Sequence, residues 1–193
     1  MIEKLKQWDE ALLLFINGFH TDSLDPVMLV VTRTDVWTPL FLVLIFLIFK
    51  TYRKEGWWVM VGVALTVLLA DQITSGLMKP FFHRLRPSNE PALEGALHLV
   101  NGYRGGLYGF ASSHAANTLG VAFLVYMVLK DHHKMIWFIF IWAFVMSYTR
   151  LYLGVHYPGD ILAGALVGLF SGYAGYRLYL FLKRKYPITH SIK

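Results

Sequence analysis

The chain has 193 residues, 56% of them hydrophobic and 16% charged, with no cysteine and a formal net charge of +6. Soluble domains carry about 25% charged residues, so a mean hydropathy of +0.48 excludes a disordered chain and argues against a soluble globule. The absence of cysteine excludes a disulfide framework, a zinc–thiolate site and a cysteine nucleophile. In a membrane protein basic residues first report topology, so the positive charge calls for no nucleic-acid partner.

The first ten residues are mostly polar and no small-residue cleavage site follows, so no signal peptide is expected. Leu5, Trp8, Leu12, Phe15 and Phe19 recur at steps of three and four. This predicts an amphipathic helix, lying in the membrane interface or packed on a bundle. Val36–Phe49 is very apolar but short for a span. Leu24–Val31 either extends it backwards, through a disturbance near Arg33–Pro39, or forms a separate interfacial helix. Trp57–Met78, Ser113–Leu129, Met135–Leu153 and Pro158–Leu182 meet or approach the roughly 20 apolar residues that a crossing needs. The predicted fold is all-α, a polytopic membrane bundle of five transmembrane helices, with six as the alternative, and an N-terminal amphipathic interfacial helix. Residues 1–193 form one domain, with 1–34 as interfacial helices and 35–185 as the bundle.

Short basic connections mark the cytoplasmic side. Lys50, Arg53 and Lys54, the segment Lys130–Lys134, and Lys183, Arg184 and Lys185 are expected to share it. The long Gly-, Pro- and Asn-rich connection Pro80–Ser112 and the short one at Gly154–Tyr157 then face outwards. Three clusters fall on that outward side: Lys79 to Pro87, Ala111-Ser112-Ser113-His114, and Thr149-Arg150 followed by His156 to Asp160. Lys79, Arg86 and Arg150 supply three cations, and arginine forks match phosphate oxygens bidentately. Ser112 and Ser113 stand at a helix start, where free N–H groups favour an anion. His114 and His156 are each a plausible nucleophile when neutral and acid when protonated. Asp160 follows His156 by one helical turn, so its carboxylate can orient the imidazole.

The pattern Lys79-x6-Arg86-Pro87, Ser112-x-His114 and Arg150-x5-His156-x3-Asp160 resembles the type 2 phosphatidic acid phosphatase family, which shares its core with bacterial acid phosphatases and vanadium haloperoxidases. The resemblance implies a membrane-bound lipid phosphatase. In it His156 attacks phosphorus to form a phosphohistidine, Asp160 orients His156, and His114 protonates the leaving oxygen. Lys79, Arg86, Ser112, Ser113 and Arg150 hold the phosphoryl oxygens, and no metal or cofactor takes part. The chain departs from the family pattern at Ala111 and Ser113, where Pro-Ser-Gly-His is usual, and at Thr149, where Ser is usual. No catalytic group is removed.

Other residues carry weaker signals. His83 and Arg84 are read as headgroup contacts or solvated residues, and Arg104 and Tyr108 as substrate contacts. Asp71 shares a helix face with Ser75 and Lys79. Gly164, Gly168 and Gly172 have the spacing of close helix packing, read here as packing within the bundle. His132 and His133 are surface residues on the basic side. The leading expectation is hydrolysis of a lipid phosphate or diphosphate within the bilayer, with undecaprenyl diphosphate favoured. Phosphatidylglycerol phosphate, phosphatidic acid and lipid A stand as alternatives. Haloperoxidase chemistry and non-catalytic phospholipid binding or translocation are the competing classes. The expected location is a bacterial inner membrane with the site facing outwards.

Overall fold

Pro26, Pro39, Pro80 and Pro158 all stand in the first turn of a helix, where a missing N–H leaves nothing unsatisfied. In the computed structural model, which describes residues 2–187, the helices they open belong to an all-helical chain. The helices are α1 (Ile2–Asn17), α2 (Asp25–Val31), α3 (Thr38–Tyr52), α4 (Gly56–Asp71), α5 (Lys79–Phe82), α6 (Ser113–Leu129), α7 (Ile139–Tyr152) and α8 (Pro158–Lys185). Among the described residues the only β pairing is one isolated antiparallel bridge, Leu85 to Tyr108.

Three helical runs are long and apolar enough to cross a membrane: Thr34–Phe82, Lys134–Tyr152 and Pro158–Lys185. Ser113–Leu129 is a shorter apolar helix. The first run is not straight. Arg53, at φ 50 and ψ −126, ends α3, and Gly56 then opens α4 against the Phe49 ring. The segment 24–37, ambiguous in the sequence, resolves into α2 and a tight 3-10 turn over Thr34–Trp37. It does not extend α3 backwards. Between α4 and α5 the helix widens to a π-helix over Gln72–Met78, where the Lys79 N–H reaches the Thr74 carbonyl five residues back. The ring of Pro80 needs room in the preceding turn, and the wider turn provides it.

The bundle closes around α4, α6 and α8, which meet backbone to backbone. A Cβ on Gly168 would press on the Ala116 carbonyl at 2.5 Å, and one on Gly172 on the Gly120 carbonyl at 2.5 Å. The small-residue stripe therefore packs within the bundle, as its spacing predicts. Beside this seam Leu124, Leu129, Trp142, Met146 and Tyr179 build the main apolar core.

The basic connections meet at one end of the bundle. Lys183 Nζ lies 3.2 Å from Glu55 Oε2, and the Tyr52 hydroxyl donates to the Val128 carbonyl at 2.5 Å. His133 pairs with Thr51 at 3.0 Å and His132 packs on Tyr52, so both histidines are structural. At the opposite end α1 lies across α7 and α8. Its inward stripe is Asp9, Leu13 and Asn17. Its apolar stripe faces out, with Trp8 69% and Phe15 64% exposed. That is the orientation a bilayer requires and water forbids. Asn17 ties α1 to the long connection by donating to the His98 and Tyr152 carbonyls at 3.0 and 2.7 Å.

The seam sets a stability prediction. Gly172→Val forces branched carbon against main chain, an overpacking that costs about 1–3 kcal/mol or more. The thermal midpoint in detergent should fall by about 5–10 °C. Gly106→Ala, whose Cβ meets open space, should leave it within about 1 °C.

Candidate active site

The α8 N-terminus organises the end of the bundle opposite the basic connections. Pro158 brings no N–H to the first turn of α8, the Gly159 N–H donates to Asp9 Oδ1 at 2.6 Å, and Asp160 turns its side chain back to accept the Tyr157 N–H at 3.1 Å. The same carboxylate oxygen, Oδ2, accepts His156 Nδ1–H at 3.2 Å. A carboxylate at Nδ1 fixes the imidazole as its Nδ1–H tautomer and leaves the Nε2 lone pair free. His156 and Asp160 are buried, at 1% and 0% exposure. Burial, with Arg86, Arg150, Lys79 and Arg84 nearby, holds the His156 imidazole well below the usual 6.5. It is neutral at physiological pH.

The three sequence clusters converge here. The Asp160 carbonyl accepts the Ser112 N–H at 3.0 Å, which joins α8 to the start of α6. Ser112 is fully buried and caps α6, its Oγ accepting the Ala115 N–H. Ser113 begins the helix, and Lys79 Nζ donates to its Oγ and to Ser75 Oγ at 3.0 Å. Ser75 in turn donates to Asp71 at 3.2 Å. The face shared by Asp71, Ser75 and Lys79 is thus a hydrogen-bonded file that places the Lys79 ammonium. Serine at position 113, where the resembled pattern has glycine, adds a second anchor for that ammonium.

Arg86 follows an extended stretch pinned by bonds to Leu107 and from Gly109, and its Nε donates to the Tyr108 carbonyl at 3.1 Å. Two glycines make room for it. A Cβ on Gly105 would lie 2.7 Å from Arg86 Nη1, and one on Gly109 would lie 2.9 Å from Asp160 Oδ2 and 3.2 Å from Arg86 Cγ. Arg150 is 2% exposed. It donates to Thr32 Oγ1 at 2.7 Å and to the Tyr103 hydroxyl at 3.3 Å, while its buried Nε has no partner among the described residues. The Thr149 hydroxyl lies 3.0 Å from Thr32, so threonine here keeps the bond a serine would make.

Arg150, Tyr103, Thr32 and His114 line a polar cavity of about 440 Å³ at the α2–α3 elbow. His114 also lines an apolar cavity of about 390 Å³ that runs between α3, α4, α6 and α7 past Val121 and Val125 to Ile48. From His114 to Val125, eleven residues along α6, is about 16 Å. One imidazole therefore stands between a cavity that Arg150 lines and an apolar one. Such a space accepts a phosphoryl group joined to a hydrocarbon chain.

Some sequence readings need correction. Arg84 is neither solvated nor free for a headgroup: it donates to Asp160 Oδ1 at 3.0 Å and to Asp9 Oδ2 at 2.7 Å. Its signal was present. Arg84 and Arg86 flank the bridged residue Leu85, and alternate residues of an extended segment share a face. Arg104 staples the loop, donating to the Ser88 carbonyl at 2.5 Å and accepting Ser88 Oγ–H through its own carbonyl at 2.7 Å. Tyr108 contributes a carbonyl to Arg86 and packs its ring on His83. Thr32, Tyr103 and Asp9 had no motif to announce them.

Comparison with known proteins agrees with this geometry. The family model described as "PAP2 superfamily" matches residues 55–184. A lipid A 4'-phosphatase of Bacteroides thetaiotaomicron is 42% identical over 178 residues, 91% of this chain and 79% of that one. A lipid A 4'-phosphatase of Porphyromonas gingivalis is 33% identical over 96% of this chain and 78% of its own length. An undecaprenyl-diphosphatase of Sulfolobus acidocaldarius is 31% identical over 70% of this chain and 60% of its own. Among solved structures, LpxE of Aquifex aeolicus superposes with a TM-score of 0.63 at 26% identity, covering 86% of this chain and 93% of that chain.

A cluster of this charge suits a tetrahedral anion. Inorganic phosphate titrated into the purified protein should bind, and Arg150→Lys, which keeps the charge but loses the fork, should raise Kd about tenfold. Arg104→Gln should leave Kd within about twofold, as a loop staple predicts.

Proposed function

The chain belongs to the PAP2 superfamily and is an integral membrane lipid phosphatase of that type, and from this premise we propose that it removes a phosphate from a lipid A-type glycolipid through a phosphohistidine intermediate. The observation that carries the reading is the buried His156–Asp160 pair set among four cations, beside a histidine that faces both a polar and an apolar cavity. Lipid A, one of the alternatives read from the sequence, takes the lead from undecaprenyl diphosphate. It is the substrate class named for the two relatives that match most of the chain.

In the proposed reaction, Asp160 accepts a hydrogen bond from His156 Nδ1–H, which stays on the ring, and the Nε2 lone pair attacks phosphorus. The P–N bond forms as the P–O bond to the sugar breaks, and His114 gives its proton to the departing oxygen. Lys79, Arg86, Arg150, the Ser112 hydroxyl and the Ser113 amide hold the three equatorial oxygens, where charge builds in the transition state. Water, deprotonated by His114, then attacks phosphorus and breaks the P–N bond. Inorganic phosphate leaves and His156 is restored. No step calls on a metal. The apolar cavity beside His114 takes the proximal part of an acyl chain while the rest stays in the bilayer. The clustering of basic connections at the far end supports a site facing outwards across a bacterial inner membrane.

The test is phosphate release by detergent-purified protein from lipid A, undecaprenyl diphosphate, phosphatidylglycerol phosphate and phosphatidic acid, with EDTA throughout. Lipid A should be turned over about tenfold faster than the others, with mass spectrometry showing loss of one phosphate, and His156→Ala should lose about 10⁴-fold or more. Faster release from undecaprenyl diphosphate would reverse the substrate assignment, and full activity in His156→Ala would end the phosphohistidine mechanism.

The pH dependence follows from the lowered His156 value. Neutral imidazole is the attacking form, and a depressed pKa keeps it neutral as pH falls. Once substrate ionisation is allowed for, kcat/KM should show no loss on the acid side from His156 between about pH 7.5 and 6, where protonation of an ordinary imidazole would cost about fourfold, and a fall towards alkaline pH should report loss of the His114 proton.

A further inference from the structure

Resting on the reading that His156 and Asp160 carry the chemistry, we propose that Asp9 and Arg84 are positioning residues: Asp9 on α1 holds the Arg84 guanidinium, and Arg84 locks the Asp160 carboxylate against His156. The contacts form one unbroken line. Arg84 Nη2 donates to Asp9 Oδ2 at 2.7 Å, and Arg84 Nη1 donates to Asp160 Oδ1 at 3.0 Å. The guanidinium lies 3.9 Å over the Tyr157 ring, so its plane is fixed as well as its ends. The second oxygen of Asp9 accepts the Gly159 N–H at 2.6 Å, an open amide in the first turn of α8. A Cβ at Gly159 would stand 2.9 Å from Asp9 Oδ2, so glycine there leaves room for the carboxylate.

The need for such a lock follows from the chemistry of a carboxylate. The torsion about its Cβ–Cγ bond is broad and has no sharp minimum. On Asp160, Oδ2 serves His156 and the Tyr157 N–H, while Oδ1 has Arg84 alone as a side-chain donor. Without Arg84 a buried charged oxygen is unpaired and the group can turn, taking Oδ2 away from His156 Nδ1. Arg84 is long and 27% exposed along its side chain. Left to itself it would sample other rotamers. Asp9 restrains its far end, and two carboxylates then share one planar fork, an arrangement that lysine cannot copy.

Asp9 is 150 residues from Gly159 in sequence and lies outside all three motifs. It sits on the inward stripe of the helix whose apolar side is exposed. The lipid-facing helix is thereby connected, through two ion pairs, to the carboxylate that orients the nucleophile.

The proposal is tested on the full chain in detergent with the fastest lipid of the panel above. Arg84→Gln should lower kcat about 100-fold with KM within about threefold, and Asp9→Asn should lower kcat about tenfold with KM unchanged. Because Asp9 acts through Arg84, the double variant should match Arg84→Gln alone within about twofold. Arg84→Lys should recover only a small part of kcat, and Asp9→Glu should recover most of the loss in Asp9→Asn. The Kd for inorganic phosphate should stay within about twofold in each, which a collapsed site would not allow. If Arg84→Gln does not fold, the Asp9→Asn and Asp9→Glu pair decides.

A kcat within about twofold of wild type in the Asp9 and Arg84 variants, or losses that simply multiply in the double variant, overturns the proposal. The arms separate the two readings. An inert wild type, or an active His156→Ala, removes the phosphatase mechanism itself. An active wild type and dead His156→Ala alongside unaffected Asp9 and Arg84 variants remove only the positioning role.

Discussion

A carboxylate with no solvent exposure must have all its charge answered by donors, and Asp160 is such a group. Stranding a buried charge costs about 3–5 kcal/mol when a partner is removed, so its donors are held where the fold puts them. They are three donors from two segments: the Tyr157 amide and His156 before α8, and Arg84 in the long connection. Its own carbonyl takes the Ser112 amide at the head of α6. One residue thereby fastens the ends of two helices and a loop to each other. Gly109 is small because that carboxylate passes 2.9 Å from where its Cβ would be.

Much of this was legible in the sequence, for a physical reason. A bilayer admits few architectures, so apolar run lengths reveal the helices, and alternation across the membrane brings Lys79–Pro87, Ser112–His114 and Arg150–Asp160 to one end. The resembled motif pattern named the side chains at that end. What was hidden depends on tertiary contact. Asp9 meets Gly159 and Arg84 across most of the chain, and no local pattern encodes that meeting. Thr32 sat in a segment whose apolar run and prolines fit either a long span or a short helix. Only packing against Arg150 distinguishes them. The stripe on α1 was visible as a stripe, but its direction follows from which solvent lies outside.

The site is divided as an amphipathic substrate is divided. Arg150, Thr32 and Tyr103 line the cavity at the α2–α3 elbow, and mostly apolar side chains line the cavity below, with His114 at the boundary. A reacting bond between a phosphoryl group and its lipid belongs at such a boundary. Phosphate alone would fill the upper space, and hydrocarbon alone the lower.

The glycine seam has a mechanical consequence. Where side chains separate two helices, rotamer changes let them slide; where main chain meets main chain, only hard atoms are in contact, and the pair resists shear as a crystal lattice does. Ser112 and His114 ride on α6 and His156 and Asp160 on or beside α8, the two helices joined in this way through Gly164, Gly168 and Gly172. The dipoles around the reacting phosphorus are then set before substrate arrives. The reorganisation energy that water would spend turning its own dipoles toward a developing charge has little counterpart here.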